Sequence, residues 1–266
     1  MLKLAVIGKD VSKSQSPVMH AFILNAMGER CEYDKVSIAP ESFARRAEEL
    51  FSRYDAFNVT IPFKAEIIPF LKELKGDARA FGAVNTVLAK DRLGFNTDGF
   101  GFLLMLTNAN ICTADRKVLV LGAGGAGRCC IKKLVESGAC VYAYDRSFAR
   151  LQAVKREVGG FTPLNTIEGM SFDVIVNCTG IGMHDTVGKS PVGNELLSKC
   201  ATAIDLIYEP EESEFLRLAR ILGKQTLNGA AMLFYQAYMS DCIYLGKEPS
   251  AAQAKELWKT YREEDR

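Results

Sequence analysis

The strongest constraint on this chain is Gly122-Ala123-Gly124-Gly125-Ala126-Gly127, which follows the apolar run Lys117 to Leu121 and precedes a helical pattern to about Ser137. This is G-x-G-x-x-G in its required context, a strand leading through a tight turn into a helix. The glycines allow the sharp turn and let backbone N–H groups approach a pyrophosphate at the positive end of the helix. The bland alternative is a glycine turn that binds nothing, and the strand, the spacing and the following strand argue against it. That following strand, Cys140 to Tyr144, runs into Asp145, where an acidic residue holds the ribose hydroxyls of NAD. Arg146 comes directly after, with Ser147 and Arg150 close by, and these suit a 2′-phosphate. Asp145 repels such a phosphate and Arg146 attracts it, so residue type leaves NADP and NAD both open.

Around this motif the chain alternates strand and helix. Ser147 to about Val158 and Glu214 to Leu222 are helical in pattern, while Val174 to Asn177, Ala203 to Leu206 and Lys224 to Leu227 are strand-like. Alternation of this kind predicts a parallel, doubly wound Rossmann sheet. The first hundred residues differ. Lys3 to Gly8, Tyr33 to Ile38 and Ala56 to Ile61 read as strands, Ala83 to Leu88 and Leu93 to Phe95 as a hairpin, and Glu41 to Leu50 and Lys64 to Lys75 as helices. Two helices without an intervening strand, Gly229 to Leu245 and Ala251 to Arg262, close the chain. The expected fold class is therefore α/β with two domains, a mixed α/β substrate domain (residues 1–100 plus 229–266) and a dinucleotide-binding domain (101–228).

Composition narrows the function classes. With 33 basic and 32 acidic residues the chain carries no basic field for nucleic acid. No apolar run approaches membrane-spanning length. Eight cysteines without a C-x-x-C suit reduced thiols in a cytoplasmic protein, and two histidines make a histidine metal site improbable.

Candidate chemistry in the first half centres on Asn58-Val59-Thr60-Ile61-Pro62-Phe63-Lys64. Val59, Ile61 and Phe63 alternate as in a half-buried strand, and Pro62 stops it. Lys64 is then delivered to a strand end, where open α/β sheets keep their ligands. Ser12, Ser14 and Ser16 are spaced by two, so an extended segment points all three hydroxyls one way. Ser16 before Pro17 reads as an N-cap, and a helix N-terminus there favours a carboxylate. Each residue has a plain reading too: Ser16 as a cap only, Asn85 as part of a hairpin, Asp98 as the cap of the next helix.

Taken together, Ser14-Gln15-Ser16-Pro17, Asn58 to Lys64, Gly82-Ala83-Val84-Asn85-Thr86, Gly94-Phe95-Asn96-Thr97-Asp98-Gly99, the glycine loop, Asn177 to Met183, Asp205-Leu206-Ile207-Tyr208-Glu209-Pro210 and Gly229 to Gln236 resemble the shikimate dehydrogenase family in order and spacing. The resemblance runs from Lys3 to the last helix. It implies NADPH-dependent reduction of 3-dehydroshikimate to shikimate, in aromatic amino-acid biosynthesis, by a monomer or homodimer. By that resemblance Lys64 and Asp98 are the catalytic pair. Ser14 and Ser16 hold the substrate carboxylate, Thr60, Asn85 and Gln236 bond ring hydroxyls, and Tyr208 closes over the site. The cofactor falls to Gly122, Gly124, Gly125, Ala126, Gly127, Asp145, Arg146, Ser147, Arg150, Thr179 and Ile207, with Gly229 and Met232 against the nicotinamide. Gly229, Met232 and Gln236 are three and four apart, so they share one helix face.

The chain departs from the family pattern at Lys13, Ala21 and Cys178, and most consequentially at Asp145, which replaces the asparagine of the usual 2′-phosphate grip. NAD-dependent quinate or quinate/shikimate oxidation is the rival that Asp145 favours. A non-catalytic ligand-binding regulator on the same scaffold is the rival from another class. A thioester-forming reductase has no cysteine in a block beside the substrate groups.

Overall fold

In the computed structural model, which describes residues 1–264, the first elements are β1 (Leu2–Gly8), α1 (Ser16–Ala26), β2 (Cys31–Ser37), α2 (Phe43–Arg53), β3 (Ala56–Val59), β4 (Glu73–Leu74), α3 (Asp77–Phe81), β5 (Thr86–Leu88), β6 (Leu93–Phe95) and α4 (Asp98–Asn108). Leu4 to Ile7 are all buried, the unbroken apolar run expected of a strand covered on both faces. β1 pairs in parallel with β2 and β3, and β3 with β5 antiparallel, giving the mixed order β2-β1-β3-β5-β6-β4. α2 buries Phe43, Ala47 and Leu50, one stripe of an otherwise polar helix.

The next elements are β7 (Lys117–Leu121), α5 (Gly125–Glu136), β8 (Cys140–Tyr144), α6 (Phe148–Val158), β9 (Thr162–Leu164), β10 (Val174–Asn177), α7 (Asn194–Ser198), β11 (Thr202–Asp205), α8 (Glu214–Ile221), β12 (Gln225–Leu227), α9 (Ala230–Leu245) and α10 (Ala251–Glu264). The second sheet is wholly parallel, in the order β12-β11-β10-β7-β8-β9. This is the doubly wound arrangement, and its strand order reverses between β7 and β10, where such sheets take ligands. Two compact units result: Met1–Gly101 with the chain from Phe234 onward, and Phe102–Leu233. The chain leaves the first unit within α4 and re-enters it within α9.

Two local expectations fail for physical reasons. Lys64 to Lys75 is not a helix; residues 61–67 form turns, Ile68–Phe70 a single 3-10 turn, and Glu73–Leu74 the short β4. Pro69 lacks the N–H that an α-helix needs there, and Phe63 and Ile67 are drawn into the core instead. Ser16 is the first residue of α1 and not its N-cap, which is Gln15 without a side-chain bond.

Candidate active site

Lys64 is placed by its neighbour. Phe63 is fully buried and stacks on Phe43 with ring centroids 4.1 Å apart, a contact worth about 1 kcal/mol beyond the buried area. The Lys64 carbonyl accepts from Val84 N at 2.7 Å, so the backbone is fixed on both sides. Ile61, expected to face inward, is 77% exposed, because the chain turns off the sheet once Thr60 N has bonded Ile7 O.

Lys64 Nζ donates to Asp98 Oδ2 at 2.6 Å, with the two side chains 29% and 17% exposed. Asp98 opens α4, and its N–H donates to Asn96 Oδ1. The other carboxylate oxygen, Oδ1, accepts from Asn85 Nδ2 at 2.8 Å. Asn85 is 3% exposed, and its Oδ1 accepts from Thr97 N (2.9 Å) and Thr86 Oγ1 (2.8 Å). Its Nδ2 also reaches Thr97 Oγ1 (2.9 Å) and Gln236 Oε1 (3.3 Å). Lys64, Asn85, Asp98 and Gln236 are thus one connected set, and the hydroxyl of Thr60 has no partner among the described residues.

The serines behave differently from the extended reading. Ser14 N bonds Val11 O, so the segment turns, and Ser12 Oγ is spent on Asp10 at 2.7 Å. Ser14 and Ser16 do come together, with Oγ atoms 3.1 Å apart and Ser16 N donating to Ser14 Oγ.

In the second unit Gly122 N bonds Tyr144 O, and the first bond of α5 is Arg128 N to Gly124 O. The N–H groups of Gly125, Ala126 and Gly127 precede any carbonyl the helix can offer, as at every helix start. A Cβ on Gly127 would lie 2.0 Å from Gly122 O, so only glycine allows the strand and helix to approach this closely. Asp145 is braced against this loop: Oδ2 accepts from Ala123 N and Oδ1 from Ser147 N, both at 2.8 Å, and Arg150 adds an ion pair at 3.3 Å. Burial pushes its carboxyl up, but the two N–H donors and Arg150 outweigh burial and leave it below the usual range. Ser147 caps α6, while Arg146 is exposed with no ion pair among the described residues.

Thr179 follows β10. Its N and Oγ1 donate to Asn177 Oδ1, and Asn177 Nδ2 donates to the buried Asp205. Asp205 also accepts from Ile207 N and Ser213 Oγ, and burial raises its carboxyl despite these donors. Tyr208 is 41% exposed. Gly229 N bonds Ile207 O, and a Cβ there would lie 2.0 Å from Leu206 O.

Residue types did not single out Asn58, Thr86 or Ser240, nor the fully buried His20–Asp241 pair, whose Nδ1 and Oδ1 are 2.6 Å apart. The available signal was the polar trio Gln236, Ser240 and Asp241 inside the apolar run of α9.

Residues 6–87 match the model of the shikimate dehydrogenase substrate binding domain. The shikimate dehydrogenase (NADP(+)) of Shouchella clausii is 34% identical, covering 93% of this chain and 94% of its own. That of Geobacter metallireducens is 36% identical over 92% of each. The chain belongs to the shikimate dehydrogenase family. Among solved shikimate dehydrogenases, that of Thermus thermophilus in complex with NADP(H) and shikimate superposes with a TM-score of 0.88 at 32% identity, covering 98% of this chain and 99% of that one. The family's two-domain architecture is therefore also this chain's, and the eight-block resemblance seen in the sequence reflects membership.

Proposed function

We propose that this chain catalyses the reversible, NADPH-dependent reduction of 3-dehydroshikimate to shikimate. The observation that carries the reading is the 2.6 Å Lys64–Asp98 pair, part-exposed and held from behind by Asn85. Bound nicotinamide supplies the hydride. Lys64, as ammonium, passes a proton from Nζ to the ketone oxygen as it becomes an alcohol, and as amine takes it back in the oxidation. Asp98 Oδ2 holds Nζ in place, and such acid–base help is worth about 10²–10⁴ in rate.

Ser14 and Ser16, at the start of α1, hold the substrate carboxylate, where the helix dipole favours an anion. Thr60, with its free hydroxyl, and Gln236 bond ring hydroxyls; Asn85 acts on the same set, through Asp98. Tyr208 offers an exposed phenol to the ligand. The open N–H groups of Gly125, Ala126 and Gly127 fit a pyrophosphate. Ile207 and Thr179 shape the loops around it, and Gly229 and Met232 face the nicotinamide. Eight free thiols suit the reducing cytoplasm.

Asp145 favours a second reading, an NAD-dependent quinate dehydrogenase. Against it, both Asp145 oxygens are engaged by the glycine loop, Ser147 and Arg150, while Arg146 is left with its charge unpaired for a 2′-phosphate. Rates of shikimate and quinate oxidation with NADP and with NAD test the choice. Preference for shikimate with NADP is expected; quinate turnover with NAD alone would replace the first reading by the second.

A further inference from the structure

Behind the Lys64–Asp98 pair lies a buried group of hydroxyls that the proposed reaction does not use. Ser240 and Thr86 are fully buried, and their hydroxyl oxygens are 2.8 Å apart. Ser240 Oγ lies 3.2 Å from Thr97 Oγ1, accepts from Asn58 Nδ2 at 3.3 Å, and has the Gln236 carbonyl within reach as an alternative acceptor at 2.9 Å. Thr86 Oγ1 donates to Asn85 Oδ1 at 2.8 Å. A threonine has one hydroxyl proton. If Thr86 spends its own on Asn85, its oxygen is left as an acceptor, reached by the Ser240 hydroxyl at 2.8 Å and more distantly by Asn58 Nδ2 at 3.4 Å. With the single Ser240 proton turned to Thr86 instead of the Gln236 carbonyl, the polarity runs one way, from Ser240 to Thr86 to Asn85 Oδ1.

That polarity matters at the far end. Asn85 must present oxygen to Thr97 N and Thr86, and NH2 to Asp98 Oδ1. A turned amide would set its carbonyl against the carboxylate. Asn58 supports the same group from β3, with Oδ1 accepting from Tyr33 and Tyr244 and Nδ2 donating to Asn85 O. Inside a protein, where water does not compete, a chain of this kind is stronger than its separate links.

We propose that Ser240 and Thr86 are positioning residues for proton transfer: their buried hydroxyls hold the Asn85 amide in the orientation that anchors Asp98 beneath Lys64. The inference rests on the proposed role of the Lys64–Asp98 pair. It assigns to α9 a function besides carrying Gln236, since Ser240 lies one turn further along the helix. Neither hydroxyl touches substrate. Their loss acts on the geometry of the reacting pair and leaves ground-state binding nearly unchanged.

The test compares Thr86→Val, which removes the hydroxyl at nearly constant shape, with Thr86→Ser, which keeps it, alongside Ser240→Ala and the Thr86→Val/Ser240→Ala double variant. Thr86→Val and Ser240→Ala should each lower kcat about 5–20-fold, with KM for substrate and NADPH within about twofold, while Thr86→Ser stays near the parent. The double variant should be no slower than Thr86→Val, since both changes break one chain. A kcat within about twofold of the parent in both single variants, a loss confined to KM, or losses that multiply would each overturn the proposal. A second readout needs no turnover. In the ligand-free protein the Asn85 side-chain amide protons, followed by NMR, should exchange with solvent about tenfold faster in Ser240→Ala than in the parent. Unchanged exchange overturns the positioning role whatever the activity. A parent inactive with 3-dehydroshikimate and NADPH instead overturns the proposed reaction and leaves the exchange result to decide on Ser240.

Discussion

Asp98 receives a different kind of donor on each oxygen, the Lys64 ammonium at 2.6 Å and the Asn85 amide at 2.8 Å. The lysine can give up its proton and the amide cannot. In the proposed reaction the carboxylate would keep one fixed partner while its other partner gives up and regains a proton.

Replacing Lys64 by Ala should lower kcat by about 10²–10⁴ and leave the dissociation constant for NADPH within about twofold. Asp98→Asn, which keeps an acceptor but loses the charge, should fall between that variant and the parent. Steady-state kinetics with cofactor titration checks both; parent-like turnover in Lys64→Ala would remove it from the proton path.

Arg146 is exposed and has no ion pair among the described residues, so a 2′-phosphate is free to take it. Arg146→Ala should raise KM for NADPH about tenfold and move KM for NADH by about twofold or less. The NADPH effect should shrink as salt is added, because an exposed pair is screened. Equal effects on the two cofactors would place the arginine elsewhere.

Buried Asp241 gives the stability a pH dependence of definite sign. Burial raises its carboxyl to about 6, and His20 offsets only part of this. A folded value above the unfolded one means that stabilisation is fully present below the unfolded pKa of about 3.9 and is lost as pH rises through about 6. Asp241→Asn should therefore match the parent near pH 4 and be the more stable of the two above pH 7. Denaturant unfolding across that range, within the limits of solubility, reads the difference directly.

Gly127→Ala puts a methyl 2.0 Å from the Gly122 carbonyl. The helix must move off the strand, at a cost of about 1–3 kcal/mol, and its N–H groups move with it. Both melting temperature and cofactor affinity should fall, in contrast to Arg146→Ala, which should lower affinity alone.

The second unit was legible because its signals are local. A strand, a glycine turn and a helix lie next to one another in sequence, and the alternation that follows admits one sheet type. The short β4, β9, α3 and α7 escaped, being too brief to show a period. The stretch after Lys64 misled because its apolar spacing suits a helix, yet Pro69 and the inward pull of Phe63 and Ile67 decide otherwise. Asp145 was ambiguous for another reason. Residue type gives its charge, but only the fold shows that both oxygens turn toward Ala123 and Ser147. The hydroxyls behind Asn85 were the least legible, since Thr86, Thr97 and Ser240 meet across up to 154 positions of chain.

The first unit is interrupted by the second, so its last segments are made only after the second is complete. Residues 1–101 emerge first, but the partners that Asn58, Asn85 and His20 have on α9 follow only after residues 102–233 have been made. The inserted unit has its whole parallel sheet within residues 102–233 and can close before the first unit receives α9 and α10, which would reverse the usual N-terminal-first order. A chain ended at Leu233 should accordingly resist protease across 102–233 and be cut within 1–101. The groups proposed to run the chemistry would then be among the last parts of the molecule to become rigid.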